Sequence, residues 1–328
     1  MLPLRDPEEA IVAVDLGGTK TAAAVVARDG TLRTDVLEVP TPAHDGPDAV
    51  LDAVAGLVGR VVATSGAGAP AAVGIGSAGV IDPGRGVVVS ATDAITCWTG
   101  TGVSDGVFAR LARRGLTAAD GSPLLVTVDN DVNAYVAGEA WLGAGRGAST
   151  ALVVAVGTGV GGAPVLGGAV HHGAHFLAGE MGHMPSAEAG RERCTCSRPG
   201  HLEAVAAGPQ IARRYRESTG RADVVTALEV ERLADGGEPV AARVYDAAAR
   251  ALGRAVAQVV TVVDPEVVVI SGGLARSGER WWGRLRSTVR DELVDLVADV
   301  PVVPAELGTR APLVGAARQA LVAVGLLT

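Results

Sequence analysis

The amino-acid sequence predicts an α/β fold in two lobes. Short apolar runs typical of buried strands alternate with segments of helical spacing along 328 residues, which is enough chain for two hydrophobic cores. Two glycine-threonine turns, within residues 11–26 and 151–166, each lie between two strand-like runs. Because this pattern occurs once in each half, we expect an internal duplication whose period is too long for a solenoid.

The elements of the first half follow from the apolar periodicity. They are a hairpin over 11–28, a helix over 47–63, a buried strand over 71–75, a helix over 102–114, a buried strand over 124–128 and a helix that follows Asp129 and runs to about Leu142.

The second half repeats the strand–turn–strand pattern and then becomes helical. Its elements are the pattern itself over 151–166, an irregular stretch over 171–203, helices over 203–217, 223–234 and 238–263, a strand over 266–270 and a final helix over 312–321. We place the boundary near residue 120. The N-terminal lobe then comprises 1–120 plus 313–328, and the C-terminal lobe comprises 121–312.

The composition excludes several classes of protein. Hydrophobic residues make up 48% of the chain, which indicates a folded globular protein. The net charge of −8 argues against non-specific binding to nucleic acid. No apolar run is long enough to cross a membrane, and residues 1–9 lack the pattern of a signal peptide. The three cysteines provide no disulfide framework, so we expect a cytoplasmic protein.

The first glycine turn carries groups that suit phosphate binding. A carboxylate, two glycines, a hydroxyl and a cation follow one another as Asp15, Gly17, Gly18, Thr19 and Lys20. Backbone N–H groups and a positive charge can bind phosphate oxygens, and the carboxylate can hold magnesium or its waters. An ordinary hairpin turn is the alternative, but the similar turn in the second half favours a phosphate site.

The second glycine turn contains Gly157, Thr158 and Gly159 and matches the pattern G-x-G-x-x-G over 157–162. In dinucleotide-binding dehydrogenases a helix follows this pattern. Here Pro164 and further glycines predict a second strand, which argues against such an enzyme. Two phosphate turns in two halves indicate a nucleotide held in a cleft between the lobes.

A cluster of acids and amides follows the buried strand that ends at residue 128. Asp129, Asn130, Asp131 and Asn133 stand where ligands bind in α/β sheets, and they can orient and deprotonate a hydroxyl group. The alternative is helix capping, since Asp and Asn are preferred N-cap residues. We expect one of these residues to cap the helix and the cluster as a whole to form a site.

With these motifs in this order, the chain resembles the ROK family, which contains bacterial sugar kinases of the two-lobed actin-like ATPase (ribonuclease H-like) fold. The family's phosphate motifs correspond to Asp15–Lys20 and Gly157–Gly162, and its catalytic pair corresponds to Asn130 and Asp131. Its sugar-contacting motif corresponds to Gly179–His183.

The resemblance implies ATP-dependent phosphorylation of a sugar hydroxyl in the cleft between the lobes. Asp131 would be the general base, with Asn130, Glu180, His183 and Glu203 around the sugar. Gly272 and Gly273 would lie on the adenosine side of the bound MgATP.

The resemblance also implies a structural zinc site, and here the sequence departs from the family pattern. The candidate ligands are His183, Cys194, Cys196 and His201, where His201 stands in place of a third cysteine. Two thiolates and two imidazoles form a chemically sound tetrahedral set for Zn²⁺. A loop without metal, carrying two free thiols, is the alternative.

A second departure lies near Asp93, where the family usually has an asparagine that contacts sugar hydroxyls. An aspartate accepts hydrogen bonds but does not donate them, so the hydroxyl pattern of the acceptor can differ. Gly79, in the preceding loop, is expected to let the sugar approach the backbone.

We therefore predict an ATP-dependent kinase that acts on glucose or a related hexose at its primary hydroxyl, the 6-position. An N-acetylhexosamine or a sugar-like cyclitol is the alternative acceptor, and polyphosphate is the alternative donor. The family also contains sugar-responsive repressors, but only ten residues precede the first predicted strand, too few for a DNA-binding domain. A non-catalytic sugar sensor is disfavoured by Asp131 and the two phosphate turns. We expect a homodimer that binds neither nucleic acid nor membranes.

Overall fold

A computed structural model describes residues 10–66 and 68–327. The expectation that residues 1–9 form no signal peptide lies outside the described residues. In the described part of the chain, no helix combines the length and the apolar character needed to span a bilayer.

The strands are β1 (Ala10–Leu16), β2 (Lys20–Ala27), β3 (Leu37–Pro40), β4 (Ala72–Ser77), β5 (Val80–Asp82), β6 (Val87–Ser90), β7 (Leu125–Asn130), β8 (Thr150–Val156), β9 (Val160–Leu166), β10 (Ala169–Val170), β11 (Val267–Ser271) and β12 (Val302–Pro304). The helices are α1 (Pro47–Ser65), α2 (Val103–Arg113), α3 (Asp131–Leu142), α4 (Glu203–Ala206), α5 (Gly208–Thr219), α6 (Ala227–Asp235), α7 (Pro239–Val263), α8 (Glu279–Glu292) and α9 (Ala311–Ala323).

Most of the predicted elements are confirmed to within a few residues, and two differences have clear causes. The helix predicted over 203–217 is two helices, because Gly208 and Pro209 interrupt the hydrogen-bond pattern after α4. Helix α8 was not predicted, since its sequence is rich in arginine and its apolar face rests mainly on Trp281, Trp282 and Leu285.

The chain forms two compact units, and their boundary differs from the expected one. Unit 1 comprises the described residues of Met1–Arg146, His172–Leu177 and Thr309–Thr328, and unit 2 comprises Gly147–His171 and Ala178–Gly308. Residues 121–146 were expected in the C-terminal lobe. They belong to unit 1 because β7 pairs in parallel with β4, from Ala72 opposite Leu125 to Ser77 opposite Asn130.

The two units repeat one sheet topology. Unit 1 has a five-stranded sheet in the order β3-β2-β1-β4-β7, and unit 2 has a five-stranded sheet in the order β10-β9-β8-β11-β12. In both sheets the first two pairings are antiparallel and the last two are parallel. The glycine turns occupy equivalent places, between β1 and β2 and between β8 and β9, as the predicted duplication requires.

Strand β1 separates two hydrophobic layers in unit 1. Val12 and Val14 point into a core formed with helices α1 and α2, whereas Ile11 and Ala13 point into a core formed with α3 and α9. This alternation follows from the two-residue period of a strand that is covered on both faces.

The core of unit 2 lies on the helical face of its sheet. Leu152, Val154 and Val156 of β8 pack with side chains of helices α4 to α8. Trp281 and Trp282 are both buried there, with ring centroids 5.3 Å apart in an edge-to-face arrangement.

Helices α3 and α9 touch backbone to backbone in unit 1. A Cβ atom on Gly315 of α9 would lie 1.7 Å from the carbonyl oxygen of Ala134, and one on Gly138 of α3 would lie 2.3 Å from that of Ala311. Only glycine permits this approach, so these two residues fix the spacing of the two helices.

We predict that Gly315→Ala destabilises the protein. The added methyl group must push α9 away from α3, and overpacking of this kind costs about 1–3 kcal/mol. Gly283 of α8 is the matched control, because a Cβ there would meet only the flexible end of Glu279, at 3.1 Å. Gly283→Ala should be neutral or stabilising, since alanine favours helix by up to about 1 kcal/mol. Urea unfolding of both variants is the measurement, and a Gly315→Ala protein as stable as the wild type would contradict the argument.

Candidate active site

Asn130 caps helix α3 and connects the catalytic candidates of unit 1. Its side-chain oxygen accepts hydrogen bonds from the backbone N–H groups of Val132, at 2.9 Å, and Asn133, at 3.1 Å. Its amide nitrogen donates to Asp131 Oδ1, at 2.9 Å, and to the carbonyl of Gly79, at 2.8 Å. Asn130 therefore caps the helix and also donates a hydrogen bond to the carboxylate of Asp131.

The Asp131 side chain has the acid–base properties of a general base. Its pKa is raised to about 6, chiefly by burial and also by the negative charge of Asp15. The hydrogen bonds from the Val132 backbone N–H and the Asn130 amide lower the pKa. A carboxylate with a pKa near neutrality is ionised at pH 7 and basic enough to accept a proton in a transition state.

The first glycine turn is a tight connection in which the Gly17 N–H donates to the carbonyl of Lys20 at 3.1 Å. Thr41 supports the turn, because its hydroxyl donates to the Gly17 carbonyl at 2.8 Å. The pKa of Asp15 is raised, chiefly by burial. Lys20 forms an exposed ion pair with Glu38, at 2.6 Å, so a phosphate would have to compete with that carboxylate for the ammonium group.

The loops after β4 and β6 bring further candidates to the same unit. Gly79 has φ near 100°, a conformation that favours glycine, and a Cβ there would lie 3.0 Å from the carbonyl oxygen of Ser90. Asp93 lies exposed in a turn whose next residue, Ala94, would be 3.3 Å from a Cβ on Gly18. The loop of Asp93 therefore packs beside the first glycine turn.

The second glycine turn lines a cavity of about 610 Å³ in unit 2. Gly157 and Thr158 line it together with the start of α5, the segment around the start of α6, and the residues from Gly273 onwards. Gly272 has φ near 85°, and a Cβ there would lie 2.3 Å from the carbonyl oxygen of Val156, so the strand end packs directly against β8. Four segments that are separate in sequence thus form one partly apolar cavity, which suits an adenosine group.

Glu203 is buried between the second glycine turn and the cysteine-containing loop. Its Oε2 accepts a hydrogen bond from the Val160 N–H at 3.1 Å, and a Cβ on Gly159 would lie 2.7 Å from this oxygen. Its Oε1 accepts a hydrogen bond from the hydroxyl of Thr195. The carboxylate that was expected beside the sugar therefore also holds the glycine turn, and it explains why residue 159 lacks a side chain.

The four predicted zinc ligands come together in unit 2. One donor atom from each of His183, Cys194, Cys196 and His201 lies within 4.8 Å of every other. Cys194 Sγ lies 3.6 Å from His183 Nδ1, and Cys196 Sγ lies 3.2 Å from His201 Nδ1. These separations and the S₂N₂ donor set fit a tetrahedral zinc ion, which would cross-link the loop.

His183 presents its two ring nitrogens to different neighbours. Nδ1 faces Cys194, whereas Nε2 lies 3.8 Å from Oε2 of Glu180. Burial raises the pKa of Glu180, the positive charge of His183 lowers it, and the negative charge of Glu203 raises it. Glu180 and Nε2 of His183 are therefore adjacent polar groups outside the metal-ligand set.

Comparison with known proteins places this architecture in a family. The model of the ROK family matches residues 11–322. The chain belongs to the ROK family. It is similar to a glucokinase of Thermotoga maritima, with 32% identity over 95% of this chain and 97% of the relative. The predicted family and its two-lobed actin-like fold are thereby confirmed.

Solved ROK structures resemble this chain over almost its full length. A ROK hexokinase from Thermus thermophilus is 34% identical, with a TM-score of 0.82, and the match covers 96% of this chain and 99% of that one. A ROK glucokinase from Streptomyces griseus, in complex with glucose and AMPPNP, is 29% identical, with a TM-score of 0.75 and coverage of 94% and 98%.

Several residues around the candidate site were not found from the sequence. His172 and Gln319 both bond to Asp129, and Glu38 pairs with Lys20. Gln319 is 190 residues from Asp129 in the chain, and no local pattern could signal that contact. His172 belongs to a histidine-rich stretch, which was a visible signal without an assigned role.

We predict that the purified protein contains close to one zinc ion per chain and that Cys196→Ser removes it. Loss of one thiolate leaves three ligands, and binding of a structural zinc depends steeply on a full set. Sugar binding should also weaken, because His183 belongs to the same cluster. Cys97→Ser is the control, since Cys97 is an exposed free cysteine outside the cluster. Elemental analysis checks the metal, and wild-type protein that is active with little or no zinc would show that the loop works without it.

Proposed function

We propose that this chain is an ATP-dependent sugar kinase that transfers the γ-phosphoryl group to the primary hydroxyl of glucose or a related hexose. The observation that carries the proposal is Asp131, a carboxylate at the carboxyl end of β7 whose pKa is raised to about 6. The similarity to the Thermotoga maritima glucokinase and to the Streptomyces griseus glucokinase that binds glucose and AMPPNP supports the same activity.

Asp131 would take the proton from the attacking hydroxyl. As the hydroxyl oxygen forms a bond to the γ-phosphorus, the bond from that phosphorus to the β,γ-bridging oxygen breaks, and ADP leaves with the electron pair. The proton passes to the carboxylate of Asp131, and later to solvent. Asn130 would hold the carboxylate in position through its amide group, at 2.9 Å. Positioning and charge stabilisation account for most of the catalysis in such transfers.

The nucleotide would be bound by the two glycine turns and the cavity of unit 2. The backbone N–H groups of Gly18 and Thr19 in one turn, and of Thr158 in the other, are the proposed phosphate donors, and Gly272 and Gly273 would lie against the adenosine. The carboxylate oxygens of Asp15 suit magnesium, and a cation there would offset the burial that raises the pKa of Asp15. Magnesium, when bound, would neutralise charge on the phosphate oxygens.

The acceptor would be recognised by groups that mostly accept hydrogen bonds. Asp93, Glu180 and Glu203 are carboxylates, whereas Nε2 of His183 can donate or accept. Asp93 in place of a family asparagine favours an acceptor that donates hydrogen bonds at that position. Because of this single difference, an N-acetylhexosamine or a cyclitol is the second candidate acceptor. A coupled assay of ADP release with hexoses, N-acetylhexosamines and cyclitols distinguishes the candidates.

We also propose that the protein is a homodimer and that it works in the cytoplasm, which supplies ATP and keeps cysteines reduced. Val262 near the end of α7 is 84% exposed, and Leu296, which follows α8, is 93% exposed. A subunit interface would cover these two exposed apolar side chains. Light scattering should give the mass of a dimer, and a monomer at micromolar concentration would contradict the proposal.

We predict that Asp131→Asn lowers kcat by roughly 10²–10⁴-fold, because an amide cannot accept the proton. The KM for sugar should change far less, since size and some hydrogen bonding are retained. In the wild type, kcat should fall as the pH drops through about 6, where Asp131 becomes protonated. Steady-state kinetics from pH 5 to 8 provide both measurements, and a variant that keeps half of the activity would exclude Asp131 as the base.

We predict that Gly273→Val weakens ATP binding by roughly tenfold or more, about 1.4 kcal/mol. A Cβ on Gly273 meets no atom within 4 Å, so the added side chain fills the nucleotide cavity without disturbing the fold. Gly102→Val is the control, because Gly102 also has free space around it but lies in unit 1, at the start of α2. Calorimetric titration with a non-hydrolysable ATP analogue tests this, and equal affinities in the two variants would refute the cavity assignment.

A further inference from the structure

Asp129 is a buried carboxylate that directly precedes the catalytic turn, and it is 2% exposed. Its Oδ1 accepts hydrogen bonds from the Asn130 N–H, at 2.7 Å, and from the Asn133 side-chain amide, at 3.0 Å. Its Oδ2 lies 2.7 Å from His172 Nε2 and 2.5 Å from Gln319 Nε2. Every lone-pair direction of this carboxylate is thus used within unit 1.

The two oxygens of Asp129 bind different parts of the chain. Oδ1 binds the first residues of α3, whereas Oδ2 binds a helix and a loop that are distant in sequence. A carboxylate is planar and rigid, so fixing Oδ2 also fixes the direction in which Oδ1 points. His172 and Gln319 therefore constrain the backbone at the start of α3 through Asp129.

The backbone at this place holds the base. The Val132 N–H and the Asn130 amide both bond to Asp131 Oδ1, at 2.9 Å each. Both donors belong to the turn that Asp129 holds through the Asn130 N–H and the Asn133 side chain. A rotation of this turn would lengthen the two hydrogen bonds to Asp131 and misplace its carboxylate.

His172 is the member of this network that belongs to a separate segment. It begins His172–Leu177, a stretch assigned to unit 1 although the residues on either side of it belong to unit 2. The pKa of His172 is raised, chiefly by its hydrogen bond to Asp129. A hydrogen bond to an ionised carboxylate is stronger than one between neutral groups.

We propose that His172 is a positioning residue for Asp131, which it acts on through the carboxylate of Asp129. The proposal rests on the proposed kinase function, in which Asp131 is the base. His172 does not touch the reacting atoms in this arrangement. Its role is to keep the first turn of α3, residues 130–133, in the geometry that leaves Asp131 ionised and correctly directed.

The test compares His172→Ala, His172→Gln and His171→Ala. His172→Ala leaves three donors on Asp129, so the carboxylate remains compensated and the protein should fold. His172→Gln keeps a side-chain N–H donor of similar reach. His171 is the exposed neighbour of His172, and its backbone bond to Pro164 does not involve its side chain.

We expect His172→Ala to lower kcat roughly tenfold, since even a displacement of 1 Å can cost 10²-fold. The KM for ATP should stay within about twofold of the wild type, because the site of nucleotide binding is not altered. The acid limb of the pH profile of kcat should move to higher pH. The hydrogen bonds to Asp131 lower its pKa, whereas burial and the charge of Asp15 raise it, so weaker hydrogen bonds leave a higher pKa. His172→Gln should restore both quantities towards wild type, and His171→Ala should match the wild type.

A hydrogen-exchange measurement makes failure of this proposal distinguishable from failure of the proposed function. The Val132 and Asn133 amides should exchange faster in His172→Ala than in His171→Ala, whatever the protein phosphorylates. A kcat and an acid limb equal to those of the wild type in His172→Ala would overturn the positioning role. A wild-type protein that phosphorylates no sugar, but shows the faster exchange in His172→Ala, would overturn the kinase assignment instead.

Discussion

The contact between the backbones of α3 and α9 is the constraint on which the proposed catalytic turn depends. Gly138 and Gly315 let the two helices approach until carbonyl oxygens of each occupy the space where a side chain would be. Helix α9 also carries Gln319, which bonds to Asp129 at the start of α3. One helix therefore sets both the position of α3 along the sheet and the orientation of its first turn, where Asn130 and Asp131 lie.

Each unit uses one buried carboxylate to hold a functional turn. Asp129, which is 2% exposed, binds the Asn130 N–H beside the proposed base, and Glu203, which is 8% exposed, binds the Val160 N–H beside the second glycine turn. A buried carboxylate that accepts backbone hydrogen bonds is favourable only while the donors stay in place. If either turn were displaced, its carboxylate would stay buried without those hydrogen bonds, and the free energy of unfolding would fall. The stability of the fold therefore depends on the geometry of both turns.

The sequence predicted those features that depend on neighbouring residues. The glycine turns, the strand ends and the cluster around Asp131 were all visible because strands, turns and caps have short periods and characteristic residues. The lobe boundary was misplaced, because the apolar run of β7 shows that it is buried but not which strand it pairs with. The network of Asp129 required contacts with His172 and Gln319, which only the folded chain brings together. For Glu203 the residue was identified, but its hydrogen bond to Val160 depends on packing that a linear motif does not encode.

The packing of helix α9 against strand β1 also determines when unit 1 can finish folding during synthesis on the ribosome. Ile11 and Ala13 of β1 are buried against Leu313, Ala316 and Ala317 of α9, which are made some three hundred residues later. All residues of unit 2, which the short unit 1 segment His172–Leu177 interrupts, have been made once residue 308 is added. One face of the unit 1 sheet stays uncovered until α9 has been made. A polypeptide that terminates before α9 therefore lacks the helix that holds the proposed catalytic turn in place.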